Sequence, residues 1–185
     1  MEDIQITETP KSGSKFATGI KYGIIAGIVY ILLILIRYLF LDYNPMIFTG
    51  AMLISYIIII VFFIMAAIER KKELGGYADL KDLFAPVFIV ILFAEVCYAV
   101  FNYIYLNFID PDFFNHFMQT TMEYVKKMGG STDAISKQMD KMEAQNAEKM
   151  SVLHALMGLG MWIIIDSVIG ILIALIIRKP RPAQF

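Results

Sequence analysis

The sequence predicts an all-α integral membrane protein, a four-helix bundle with an amphipathic helical hairpin between its third and fourth spans. Three observations carry this prediction. The 185-residue chain has a mean hydropathy of +0.65 and only 18% charged residues. Its apolar residues are concentrated in four blocks, Tyr22 to Leu41, Met46 to Ile68, Phe84 to Ile109 and Ala155 to Ile177. Each block reaches the roughly 20 residues that cross about 30 Å of hydrocarbon at about 1.5 Å per residue. A polar segment with helical periodicity separates the last two blocks. The expected layout is one membrane domain over residues 1–185, with spans near 17–41, 46–68, 84–109 and 153–177 and an amphipathic extramembrane segment at 111–150. The first block is too long for a signal peptide, and no small-residue cleavage pattern follows it.

The first span opens "GIKYGIIAG", with Gly19, Gly23 and Gly27 four residues apart on one strip of the helix. Helices in lipid associate through close packing over small residues, so the strip is expected to meet another helix or another subunit. A ligand-passing groove is the competing reading. Lys21 is placed to snorkel to headgroups. Arg37, near the far end of the span, is expected to snorkel outward to headgroups or Asp42. The second span carries no charge, and its Ser55 can bond its own helix, so it reads as scaffold.

The third and fourth spans each hold one acid, Glu95 in "FIVILFAEVCYAVFNYIYLNF" and Asp166 in "MWIIIDSVIGILIALII". Glu95 follows Phe84 by 11 residues and Asp166 precedes Ile177 by 11, so both lie at one depth near the bilayer centre. No histidine or lysine shares that depth. Asn102 is seven residues past Glu95 on the same face, and Arg37 is nearer its level than that of the acids. Without a cation, desolvation and mutual repulsion favour a pair that keeps at least part of its protons. Such acids are hydrogen-bonding glue between helices, a proton- or cation-coupled path, or groups that face lipid separately or bond to other polar partners. Gly158, Trp162, Asp166, Gly170 and Ala174 recur every four residues, which suggests a ridge that faces protein. The single cysteine, Cys97, reads as a small buried hydrophobe.

In the segment at 111–150, Phe114, Phe117 or Met118, Thr121, Val125 and Met128 recur at three and four, and "GGS" then ends that helix. Ser131 or Thr132 can cap a second helix along Ile135, Met139, Met142, Asn146 and Met150. Apolar periodicity accounts for these methionines without a copper site, and His116 and His154 make no cluster. Two acids without histidine are too few ligands for a metal. Metalloprotease, phosphate-loop and serine-elbow motifs are all lacking, so neither an enzyme nor a cofactor is expected. A net charge of −1 gives no ground for a nucleic-acid partner. The expected partners are the lipid bilayer and a second copy or another membrane protein.

The stretches "RKKELGGYADLKDLF" and "FNYIYLNFIDPDFF", the methionine-bearing amphipathic segment and the glycine-containing last span together cover most of the chain from Gly19 to Lys179. In these the chain resembles the domain-of-unknown-function family numbered 4199, small four-span membrane proteins mainly of Bacteroidetes. The resemblance implies a four-span inner-membrane protein and supplies no activity, cofactor or functional residue. The sequence itself favours a non-enzymatic structural or accessory protein, with a small proton- or cation-coupled transporter or channel using Glu95 and Asp166 as the alternative.

Basic residues set the orientation. Lys11, Lys15 and Lys21 flank the first span, Arg70, Lys71, Lys72 and Lys81 lie between spans two and three, and Arg178, Lys179 and Arg181 follow the fourth. The connection "DYNP" has no basic residue, and the five lysines of the segment at 110–152 are spread among seven acids. Both termini are therefore expected in the cytoplasm, with 110–152 periplasmic. In a Cys97→Ala background, a cysteine placed at Gly75 should resist a membrane-impermeant thiol reagent in intact cells. Strong labelling there would reverse the orientation.

Overall fold

A computed structural model of the protein describes residues 14–41, 43–144 and 150–180. The helices are α1 (Lys15–Phe40), α2 (Pro45–Glu73), α3 (Leu80–Ile104), α4 (Phe113–Lys127), α5 (Asp133–Ala144) and α6 (Val152–Ile177). A π-helical turn, Tyr105–Ile109, extends α3. Four of these helical segments, α1, α2, α3 with its extension, and α6, are long and apolar enough to cross a membrane.

Local chemistry sets where the spans begin. Ser14 caps α1 by accepting from the Phe16 amide at 3.3 Å. Asn44 accepts from the amides of Met46 and Ile47 at 3.0 and 3.4 Å, with Pro45 in the first helical position. Ser151 accepts from the His154 amide at 3.1 Å and starts α6. The apolar run of the second span ends at Ile68, yet α2 continues to Glu73. Polar contacts support this extra turn: Lys21 pairs with Glu69 at 2.9 Å, Thr18 donates to Glu73 at 2.7 Å and Arg70 pairs with Glu73 at 2.8 Å. Gly75 and Gly76, at φ 74° and 86°, then turn the chain toward α3. An antiparallel bridge between Ala78 and Lys179 ties this turn to the end of α6.

The central helix is α3, which packs most extensively on α1 and touches α2 and α6 as well. Its buried residues include Leu83, Val87, Val90, Ile91, Ala94 and Glu95. On α1, two neighbouring ridges with a spacing of four divide the packing. Tyr22, Ala26, Tyr30 and Ile34 enter the main core with Ile59 and Phe63 of α2. Gly19, Gly23 and Gly27 let the α1 backbone lie against Ile89, Phe93 and Cys97, so close that an added Cβ would stand 2.7–3.0 Å from those side chains.

The last span packs unevenly. Its buried residues, Asp166, Gly170, Ile173 and Ala174, all lie in the half nearer the C-terminus. An added Cβ at Gly170 would meet Val87 and Ile91 at 3.0 and 3.1 Å, whereas at Gly158 nothing lies within 4 Å. The expected packing ridge thus holds at Gly170 and fails at Gly158. The spacing of four gives the face correctly, but the first half of α6 stands off from α3. It is tied back at its start, where Asn107 of the π turn donates to the Met150 carbonyl at 3.2 Å.

Both helices expected between the third and fourth spans are present as α4 and α5. The turn between them places Gly129 at φ 75° and bonds the Gly130 amide to the Val125 carbonyl at 2.9 Å. Ser131 accepts from the Asp133 amide at 3.2 Å, and the Ser136 hydroxyl reaches the Met122 sulfur at 3.7 Å. The apolar edge of α4, Phe113 and Phe117, packs on Tyr38 and Phe48 at the end of the bundle. Asn146, expected to continue the second helix, lies outside the described residues.

The glycine contacts give a matched test. Gly23→Leu should destabilise the protein by about 1–3 kcal/mol, because Phe93 occupies the space that its side chain would need. Gly158→Ala should be neutral. Thermal unfolding in detergent checks both; equal effects would show that the strip on α1 is no tighter than the open face of α6.

Candidate functional site

The two intramembrane acids are brought together. Glu95 is 2% exposed and Asp166 fully buried, and the two acids are neighbours across the α3–α6 contact. From α2, the Tyr56 hydroxyl donates to Asp166 Oδ1. Asp166 Oδ2 is buried and meets no hydroxyl or N–H donor. The neighbouring Glu95 carboxyl can satisfy it only when one proton lies between the two acids. Three spans therefore place one polar group each at a single point, in a setting where an unsatisfied polar atom is costly.

Aromatic rings enclose this point. Tyr30 of α1 stacks on Tyr98 of α3, with centroids 5.0 Å apart, and Tyr56 of α2 faces Trp162 of α6 at 6.1 Å. Two cavities meet at Glu95, Tyr98 and Trp162. One, of about 170 Å³, is bounded also by Tyr30, Tyr56 and Leu53. The other, of about 190 Å³, runs between α3 and α6 past Asn102 and Gly158 to His154 and Met150. This second cavity is the space left by the first half of α6. It is a window between two ties, the acids at one end and the Asn107–Met150 bond at the other.

The remaining candidate residues lie at the end of the bundle beside α4. Asn102 accepts from the Tyr38 hydroxyl through Oδ1, so it is fixed from α1 while lining the second cavity. Arg37 does not reach outward. It is 3% exposed, and its guanidinium lies 4.9 Å from the Phe48 ring and 5.3 Å from the Tyr38 ring. Two ring faces offer the cation a partner inside the protein, and α4 covers the cluster with Phe113. Asp42, the expected outward partner, lies outside the described residues. Beside this cluster Tyr43 donates to Asp110 at 3.1 Å; burial first, then that bond, raises the Tyr43 phenol above its ordinary pKa.

Tyr56 is the residue that sequence reasoning missed. The second span was expected to be scaffold, and Ser55 does bond its own helix, to the Ala51 carbonyl at 2.7 Å. One hydroxyl in the run "LISYIIII", level with acids on two other spans, is the signal that could have identified it. Trp162, on the ridge expected to face protein, sits one turn from Asp166 and lines both cavities.

A family model with the description Protein of unknown function (DUF4199) matches residues 21–179, most of the chain. No curated protein and no solved structure matches it.

The donor from α2 is directly testable. Tyr56→Phe keeps the ring and removes the hydroxyl, leaving Asp166 Oδ1 without its partner. The expected loss is about 1–2 kcal/mol, the scale of a hydrogen bond between membrane helices. Unfolding in bicelles measures it, and an unchanged stability would show that the hydroxyl does not hold α6.

Proposed function

The chain belongs to the DUF4199 family, and we propose that it is a non-enzymatic structural or accessory protein of the bacterial inner membrane. The observation that carries this reading is the meeting of Tyr56, Glu95 and Asp166, one from each of three spans, with the Tyr56 hydroxyl donating to Asp166. A membrane helix bundle gains little from hiding apolar surface, so interhelical hydrogen bonds and close backbone packing do the holding. The acid pair joins α6 to the bundle where no salt bridge could, and the glycine strip joins α1 to α3. The arrangement needs no substrate to explain its polar groups. In the proposed orientation both termini and the basic turn after α2 are cytoplasmic, and 110–152 is periplasmic. Lys71 supports this by bonding the Ile177 carbonyl at 2.7 Å, on the same side as the other basic residues. The bilayer is the first partner, with a second copy or another membrane protein as further partners.

One observation favours a second reading, proton- or cation-coupled transport: Glu95 is not sealed between helices but lines two cavities. A substitution series separates the two. As structural groups, Glu95→Gln and Asp166→Asn should be close to neutral, since amides still hydrogen-bond. Glu95→Leu should cost about 1–3 kcal/mol by stranding Asp166. The wild type, reconstituted in vesicles, should then move no protons or cations. A robust flux, lost in both amide variants while they stay folded, would replace the accessory reading with transport.

A further inference from the structure

We propose that the paired cavities at Glu95 bind a small organic cation of the alkyl- or quaternary-ammonium class. The walls are the first argument. Each of the four spans contributes one ring, Tyr30, Tyr56, Tyr98 and Trp162, around the space that Glu95 lines. Tyr30 stacks on Tyr98 and Tyr56 tilts against Trp162, so the wall is four aromatic surfaces, which suit a weakly hydrated cation better than an anion. A bare metal ion would require a shell of oxygen ligands, and Glu95 is the one carboxylate that lines either cavity.

Charge is the second argument. Among the described residues, no lysine or arginine pairs with the buried acids. The salt bridges among the described residues, Lys21–Glu69 and Arg70–Glu73, both lie at the end of the bundle that carries the termini. The Arg37 guanidinium is held by Tyr38 and Phe48 instead. Glu95 therefore offers a carboxyl oxygen to cavities lined by no lysine or arginine, with His154 at the far end of one of them. Access and size complete the case. The cavity between α3 and α6 reaches His154, which is exposed, and Gly158 leaves its side open. The two cavities measure about 170 and 190 Å³, below the roughly 300 Å³ at which sites for larger ligands begin, so a compact headgroup fits better than a bulky dye or drug. This site goes beyond the structural role of the acids, and the two fail separately: unfolding measurements decide the role, and ligand titration decides the site.

Trp162 is the single tryptophan of the chain and lines both cavities, so its fluorescence reports on occupancy. The full chain in lipid nanodiscs should show a saturable change in that fluorescence on titration with tetramethylammonium chloride, and none with equal sodium chloride. Glu95→Gln should weaken the apparent affinity at least tenfold. Gly158→Leu, which leaves both acids in place and fills the cavity from an open position, should abolish the response, so the test survives a poorly folding Glu95 variant. No saturable change, an equal response to sodium, or a response unaltered in a folded Glu95→Gln or Gly158→Leu protein would each overturn the proposal.

Discussion

A carboxyl group in the middle of a bilayer has no water to turn to, so its hydrogen bonds must come from the protein around it. Tyr56 supplies such a bond to Asp166, Glu95 lies beside it, and much of the architecture follows from this meeting. The three groups stand on α3, α6 and α2, which fixes the rotation of each helix about its axis and brings the acids to one level. Around them α6 buries little else: Gly170, Ile173 and Ala174 complete its buried contact with the bundle. A span with so few buried residues depends on the polar contact for its position more than α1 does. The glycine strip of α1, by contrast, runs against α3 over two full turns.

The two ends of the bundle are held by different chemistry. At the end with the termini, charged side chains cross between helices, with Lys21, Glu69, Arg70 and Glu73 extending α2 past its apolar run. At the other end, rings replace charges. Tyr38 stacks on Tyr105 at 4.2 Å, Phe113 packs edge-on to Tyr38, and Arg37 is taken up between Tyr38 and Phe48. Midway, the polar centre sits beside open space rather than in solid packing. This combination of a firmly held acid pair with an adjoining window between α3 and α6 makes the centre both a structural element and a candidate site.

The four spans, the matched depth of the acids and the glycine strip were legible in the sequence because each follows from a fixed rise or a fixed spacing along one helix. Gly19, Gly23 and Gly27 share a strip whatever they touch, and the structure supplies Ile89, Phe93 and Cys97 as the neighbours. The same spacing placed Gly158 and Gly170 on one ridge, but periodicity carries no information about where two helices diverge, and Gly158 faces a cavity. Tyr56 escaped notice because a tyrosine in an apolar run satisfies every local rule, and only the positions of Asp166 and Trp162 on another helix give it a role. A long cation near a membrane edge ordinarily snorkels outward, and Arg37 does not. Its burial depends on rings from α2 and on the cover of α4, contacts that no window of the first span contains.

The central claim is that the bond from Tyr56 to Asp166 holds α6 in the bundle, and a double-mutant cycle tests it most directly. The cost of Tyr56→Phe would be measured by reversible unfolding in bicelles, once in the wild type and once with Asp166→Leu. The account predicts a loss of about 1–2 kcal/mol in the first background and close to none in the second, because the hydroxyl then has no acceptor to lose. The same loss in both backgrounds would contradict it, since the hydroxyl would then act somewhere other than on Asp166.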